Sequence, residues 1–227
     1  MFRRAIQTLR AEIDPTQPLK CALLRAESKP RAAITDEQEF GRLLATIEGY
    51  DGWATTLKAL QFISLTFQRP GEVRFAEWKE FNGEKWSIPA ERTKMRRGHD
   101  VPLSKQALAV LDSLRPISGD DRLVFPNLHR SNEPLSENTM NKALRSMGYS
   151  KDQHTSHGFR ASASTILNGR GYRHDVIEAQ LAHIEPNQVR RAYNRAQYWP
   201  ERVALMQDWV DLCDSLKRPK RDNSDVI

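Results

Sequence analysis

The chain has 227 residues, 39% of them hydrophobic, a formal net charge of +6 at pH 7 and two cysteines. That size and apolar content exclude a disordered tail and suit one large domain, or one domain with a fragment of another. The basic balance suggests an anionic partner such as nucleic acid or a membrane surface. No apolar run approaches the ~18 residues of a membrane span, and Cys21 and Cys213 have no zinc-like spacing, so a cytoplasmic protein with no membrane partner is expected.

In chain order, FRRAIQTLRAEI has helical spacing at Ile6, Leu9 and Ile13 and is broken by DPTQP, after which SKPRAAI reads as a linker. A domain then opens at Thr35, expected as N-cap with Gln38 completing a capping box. Phe40, Leu43, Leu44 and Ile47 share one face of that helix. WATTLKALQFISLTF predicts a buried helix that stops near QRPGE. Pro70 biases Arg69 away from helical geometry and suits the first position of a further helix, PGEVRFAEW. KWSIPAERTKM and HDVPLS flank RRG and predict a hairpin turning at RRG. SKQALAVLDSLRPI follows as a helix capped by Ser104, with Ala107, Leu108, Leu111 and Leu114 as its apolar positions. SENTMNKALRSMGY starts at Ser136 and ends at Gly148 as C′ residue. GFRASASTILNGRGY, HDVIEAQLAH and NQVRRAYNRAQY are further helices. Pro200 opens the last one, whose apolar face is expected at Val203, Met206, Val210 and Cys213, before a loose basic tail at 217–227. The fold class expected is α+β, mainly helical, with one small antiparallel sheet.

Several cationic side chains stand where they could hold a phosphate. Arg160 can grip two oxygens of one phosphate, and His157 lies three residues before it at a helix start. Arg69 sits at a loop-to-helix bend, with Glu72 placed to hold an arginine. Lys94 lies on the predicted hairpin. His183 and Tyr193 flank a proline between two short helices. Arg190, Arg191 and Arg195 surround Tyr193, and nearby cations favour a phenolate. Each of these, taken alone, also has a plain reading as a surface charge or a packed aromatic. Tyr198 and Tyr172 are rival tyrosines.

The order of these pieces resembles the tyrosine recombinases, and among them the phage-type integrases of prophages and genomic islands. The resemblance runs from about AEIDPTQPL to LMQDW. It rests on LTFQRPGEVRFAEW, IPAERTKMRRGHDVPLS, HGFRASASTILN and LAHIEPNQVRRAYNRAQY. It implies the tyrosine recombinase catalytic domain fold over 35–216, with 1–34 as the tail of a core-binding domain and a linker. It also implies a catalytic set of Arg69, Lys94, His157, Arg160, His183 and Tyr193. By the same resemblance the substrate is double-stranded DNA at attachment sites, cut and rejoined through a 3′-phosphotyrosine, with self-assembly on DNA and accessory DNA-bending proteins as partners. No metal, ATP or other cofactor is implied; the sequence has no P-loop and no carboxylate cluster with metal-ligand spacing. One departure is Leu-Ala-His at 181–183, where many relatives have Leu-Gly-His; a methyl group is expected to be tolerated there. Three alternatives stay open. One is a DNA-binding protein without catalysis. Another is a type IB topoisomerase-like nicking-closing enzyme. The third is a histidine phosphatase, prompted by Arg173 beside His174 although Asp175 stands where that family has glycine.

Overall fold

The structure is a computed structural model, and it describes residues 2–16, 32–93, 96–183 and 198–218. The chain divides into two units, Met1–Pro30 and Arg31–Ile227. In the first, the helix expected to reach Ile13 is only α1, Phe2–Gln7. Leu9 follows in a left-handed conformation (φ 55°), and both Leu9 and Ile13 are exposed. Apolar side chains left exposed, as at Leu9 and Ile13, do not hold a short helix together.

The second unit begins with α2, Glu37–Glu48. Its N-cap is Asp36, whose carboxylate accepts from Glu39 N at 2.9 Å, so Thr35 and Gln38 do not form the expected capping box. The anticipated face is correct: Phe40, Leu43, Leu44 and Ile47 are all buried. α3, Ala54–Thr66, is the central helix and packs against α2 and most of the helices that follow. It ends at Phe67 in a left-handed conformation (φ 41°). α4, Pro70–Arg74, has Arg69 as its N-cap and Pro70 at its first position, as the sequence suggested. It is shorter than PGEVRFAEW. Ala76 O accepts from Val124 N, and Glu77 forms a bridge with Leu123, so backbone pairing with a distant segment captures the residues that would have extended the helix.

A three-stranded antiparallel sheet follows, in the order β1 (Phe81–Asn82), β2 (Lys85–Ile88), β3 (His99–Pro102). Trp86 and Ile88 face inward while Lys85 and Ser87 face outward, the two-residue alternation of a half-buried strand. The ladder ends at the Ile88↔His99 pair, so the expected tight turn at RRG is replaced by a longer connection with a 3₁₀ turn at Ala90–Arg92. Arg92 and the Trp86 indole both bind the Glu80 carboxylate, which holds the root of this connection to the sheet. Thr93 Oγ1 accepts from Arg97 N at 2.9 Å, tying its two sides together.

α5, Lys105–Ser118, is capped by Ser104 as expected. A two-stranded pair, β4 (Pro126–Asn127) and β5 (Arg130–Pro134), was not foreseen. α6, Thr139–Ser146, starts three residues later than Ser136 because Ser136 spends its hydroxyl on Thr139 rather than on the helix backbone. It closes at Gly148 (φ 92°), with Tyr149 N donating to Leu144 O, a Schellman end. α7, Gly158–Gly169, and α8, His174–Gln180, lead to residues 184–197, where the expected helix NQVRRAYNRAQY lies outside the described residues. α9, Trp199–Leu216, buries Leu205, Met206, Trp209, Val210 and Cys213. Val203, expected in the apolar face, is exposed; Arg202 is buried in its place, because its guanidinium finds acceptors on α8 and β3.

The core is continuous from α2 to α9. Phe62 on α3 meets Phe81, Trp86 and Phe125, while Trp209 on α9 meets Phe40 and Phe67. These large rings fix the end of α3 against the sheet on one side and α9 on the other. The Phe67–Arg69 bend therefore emerges from a rigid base.

Candidate active site

Arg69 stands at this bend in extended geometry. Glu72, one turn into α4, is 2% exposed and accepts twice from it: from the backbone N at 2.9 Å and from Nη1 at 2.9 Å. A four-residue stretch thus both caps a helix and aims a guanidinium. Pro70 makes this possible by supplying a helical φ with no N–H left to satisfy.

Arg160 lies in the first turn of α7. Its Nη1 donates to Phe67 O at 2.9 Å and its Nη2 to Leu181 O at 2.7 Å. It therefore reads the two left-handed helix ends, of α3 and of α8, where carbonyls are left without helical partners. Burial, and then the nearby charge of Arg69, lower its pKa to about 10, so it remains charged at neutral pH. Arg69 and Arg160 are thus brought together from positions far apart in the sequence.

His157 is the N-cap residue of α7 and shares with Arg69 the lining of a cavity of about 470 Å³ that also includes Arg74, Arg92, Asn138 and Asn141. The approach of α7 depends on Gly158: a Cβ there would lie 2.6 Å from Ala32 O. The 32–34 segment is strapped over this helix start. Ile34 N donates to His154 Nδ1 at 3.1 Å, and Ser162 donates its hydroxyl hydrogen to Ile34 O.

His183 follows the end of α8. Its Nδ1 is 2.8 Å from Glu178 Oε2, and its backbone N donates to Glu178 O. A carboxylate only accepts, so Nδ1 carries the hydrogen and Nε2 is the nitrogen turned to other work. The turn requires Ala182 at φ 51°. The methyl group at this position is accommodated, but in the conformation that favours glycine.

Lys94 and Tyr193 lie outside the described residues. Both rival tyrosines are engaged with carboxylates. Tyr172 donates to Asp208 Oδ2 at 3.3 Å, and burial together with Asp208 raises its pKa. Tyr198 is hydrogen-bonded to Asp175, with Arg173 over its ring at 5.3 Å. Arg173, the arginine behind the phosphatase alternative, is itself held by Asp175.

Four residues around these groups were not singled out from the sequence: Glu178, Gln68, His99 and Arg202. Gln68 and His99 approach the Gln180 carbonyl at 3.3 and 3.0 Å. Arg202 carried one sequence signal, since a cation in the first turn of a helix opposes the helix dipole and calls for a specific partner. The other three carried none, because their partners are remote in sequence.

Comparison with known proteins bears on the family and the fold. The phage integrase family matches residues 34–199. The prophage integrase IntA of Escherichia coli K12 is 48% identical over 150 residues, covering 65% of this chain and 36% of that protein. The integrase of Enterobacteria phage P4 is 38% identical over 231 residues, covering 94% of this chain and 52% of that protein. The chain thus spans about half the length of these curated relatives, or less. A lambda integrase dimer bound to a core site superposes with a TM-score of 0.58 at 20% identity, over 81% of this chain and 68% of that one. The shared architecture, mainly helical with a small antiparallel sheet, is the tyrosine recombinase catalytic fold. With that fold and a family match covering every described element from α2 to α8, the chain belongs to the phage integrase family.

Proposed function

We propose that the protein is a tyrosine recombinase acting on double-stranded DNA, in the site-specific integration or excision of a mobile element. The observation that carries this is the convergence of Arg69 and Arg160, one braced by a carboxylate and the other by two carbonyls, beside the cavity lined by His157. Two fixed guanidiniums suit the non-bridging oxygens of a phosphodiester, and they stabilise the added charge of a pentacoordinate phosphorus. The Tyr193 oxygen attacks phosphorus in line, and its proton passes toward His157. The bond from phosphorus to the 5′-oxygen breaks, and Lys94 supplies the proton to that leaving oxygen. His183, whose Nδ1 hydrogen goes to Glu178, donates a hydrogen bond from Nε2 to the phosphate as the imidazolium, the form that carries a hydrogen on both nitrogens. The phosphotyrosine keeps the phosphodiester energy, so the strand can be rejoined without ATP. The engagement of Tyr172 and Tyr198 with carboxylates supports Tyr193 as nucleophile. The lambda integrase dimer on a core site supports duplex DNA as substrate and assembly of copies on it. Residues 35–216 form the catalytic domain of this proposal.

A nicked suicide duplex tests it. The wild-type chain is expected to give a covalent adduct on a denaturing gel, undiminished by excess chelator, while Tyr193→Phe gives none and keeps DNA affinity. An adduct from the Phe variant would move the nucleophile to another tyrosine. Loss in chelator with recovery on adding magnesium would count against a tyrosine recombinase.

A further inference from the structure

Three limbs of the chain meet beside the arginine pair. β3 begins at His99, shortly after Lys94; α8 ends at Gln180, before Tyr193; and α9 begins at Trp199, after Tyr193. One junction knits them. His99 Nε2 lies 3.0 Å from Gln180 O, and Gln68 Nε2 donates to the same carbonyl at 3.3 Å. A carbonyl only accepts, so the His99 hydrogen sits on Nε2. Arg202 Nε donates to Gln180 Oε1 at 2.9 Å, and its Nη2 donates to Asp100 O at 2.5 Å, so one guanidinium ties α9 to both α8 and β3. The next carbonyl along, Leu181 O, is the one that holds Arg160.

This is costly construction. Arg202 is 6% exposed, and it places a cation in the first turn of a helix, against the dipole. What it provides is geometry: a planar fork with fixed donor directions spans two acceptors that an apolar side chain or an ammonium would leave unlinked. Burial, reinforced by the charges of Arg202, Arg160 and Arg69, lowers the His99 pKa to about 3, so the ring stays a neutral donor beside three arginines.

We propose that His99 and Arg202 are positioning residues for strand cleavage. They lock the C-terminal turn of α8, and through the Leu181 carbonyl the Arg160 guanidinium, in register with the chain on either side of Lys94 and Tyr193. The proposal rests on the strand-transfer function proposed above. Misplacing a reacting group by about 1 Å costs roughly 10²-fold in rate, so a strut joined to Arg160 through two hydrogen bonds and the backbone between Gln180 and Leu181 acts on chemistry rather than on DNA affinity.

The test compares His99→Gln with His99→Asn in the full chain. Both are neutral amides, but only the longer side chain reaches the position of Nε2. Adduct rate on saturating suicide duplex, DNA affinity and thermal midpoint are measured for each, with Leu114→Ala in the α5 core as a destabilised control. His99→Gln is expected within about threefold of the wild-type rate and His99→Asn at least about tenfold slower, with DNA affinity within about twofold for both. Arg202→Lys is expected to resemble His99→Asn. Equal rates for Gln and Asn would overturn the proposal. So would a rate loss in Leu114→Ala that matches His99→Asn at the same fall in thermal midpoint. If a His99 variant does not fold, Arg202→Lys decides: a slower adduct at unchanged affinity supports the proposal, and a wild-type rate overturns it. Absence of any adduct from the wild-type chain would instead remove the strand-transfer function itself, and the positioning role with it.

Discussion

Arg69 and Arg160 carry the same guanidinium and are held in opposite ways. Arg69 is braced within its own turn by the Glu72 carboxylate, so much of its charge is answered locally. Arg160 is held by neutral carbonyls contributed by two other helices, Phe67 O from the end of α3 and Leu181 O from the end of α8. The first device is cheap and autonomous. The second gives a buried cation, among the described residues, neutral oxygens as its hydrogen-bond acceptors and makes its position depend on packing across several helices. Under the proposed function, the expectation from this contrast is that Arg160 is the stronger anion receptor and Arg69 the more rigid one.

Substituting lysine for each tests that contrast most severely. Arg160→Lys is expected to slow adduct formation by roughly 10²–10³. It should also lower stability by about 1–3 kcal/mol, since two carbonyls lose a fork that an ammonium cannot reproduce. Arg69→Lys should slow the reaction less and leave stability nearer to wild type. Single-turnover adduct rates and urea midpoints decide it, and a larger stability loss from Arg69→Lys would reverse the assignment.

Acid should reach the segment strapped over the start of α7, the helix that carries Arg160. Burial, and then Arg145, lower the pKa of His154 to about 4, and its Nδ1 must stay bare to accept from Ile34 N. The unfolded histidine takes up a proton near pH 6.5 and the folded one near pH 4, so the unfolded chain binds more protons in between. This contribution to stability is full above about pH 6.5 and is lost as pH falls toward 4, on the order of 3 kcal/mol. Thermal midpoints across pH 4–8 for wild type and His154→Gln should converge at the acid end. Parallel curves would remove His154 from the account.

Glu72→Gln sharpens the local side of the comparison. It keeps an acceptor but removes the charge facing Arg69, and about a tenfold slower adduct is expected, with little change in DNA affinity. A loss equal to that of Arg69→Lys would mean that Glu72 does more than aim its neighbour.

The smallest effect belongs to the turn that offers the Leu181 carbonyl. Ala182 holds φ 51°, a conformation that costs an alanine about 1 kcal/mol relative to glycine. Ala182→Gly should therefore raise the thermal midpoint by roughly 2–4 °C without changing the adduct rate. A lowered midpoint would show that the methyl group packs usefully.

Arg69 and its brace were visible in the sequence because Arg-Pro-Gly-Glu is a local device. Proline fixes φ, the helix start needs an acceptor, and the carboxylate three residues on supplies it. The same locality made legible Ser104 as a cap, Gly148 as a helix end and the buried face of α2. It failed wherever a distant strand or carbonyl intervened. α4 stopped early because Ala76 and Glu77 pair with Leu123 and Val124, and the turn expected at RRG yielded to a longer connection rooted on Glu80.

The sequence by itself determined the order of the candidate residues, the helix periodicities and the bend at Arg69, since each depends on interactions a few residues apart. Only the tertiary structure decided that Arg160 is held by carbonyls from α3 and α8, that Arg202 turns inward while Val203 faces solvent, and that His99 stands beside Gln180. Those contacts join helix ends and a strand far apart in the chain. Backbone carbonyls, which every residue carries, leave no mark in the sequence to say which will be left unpaired and brought to a guanidinium.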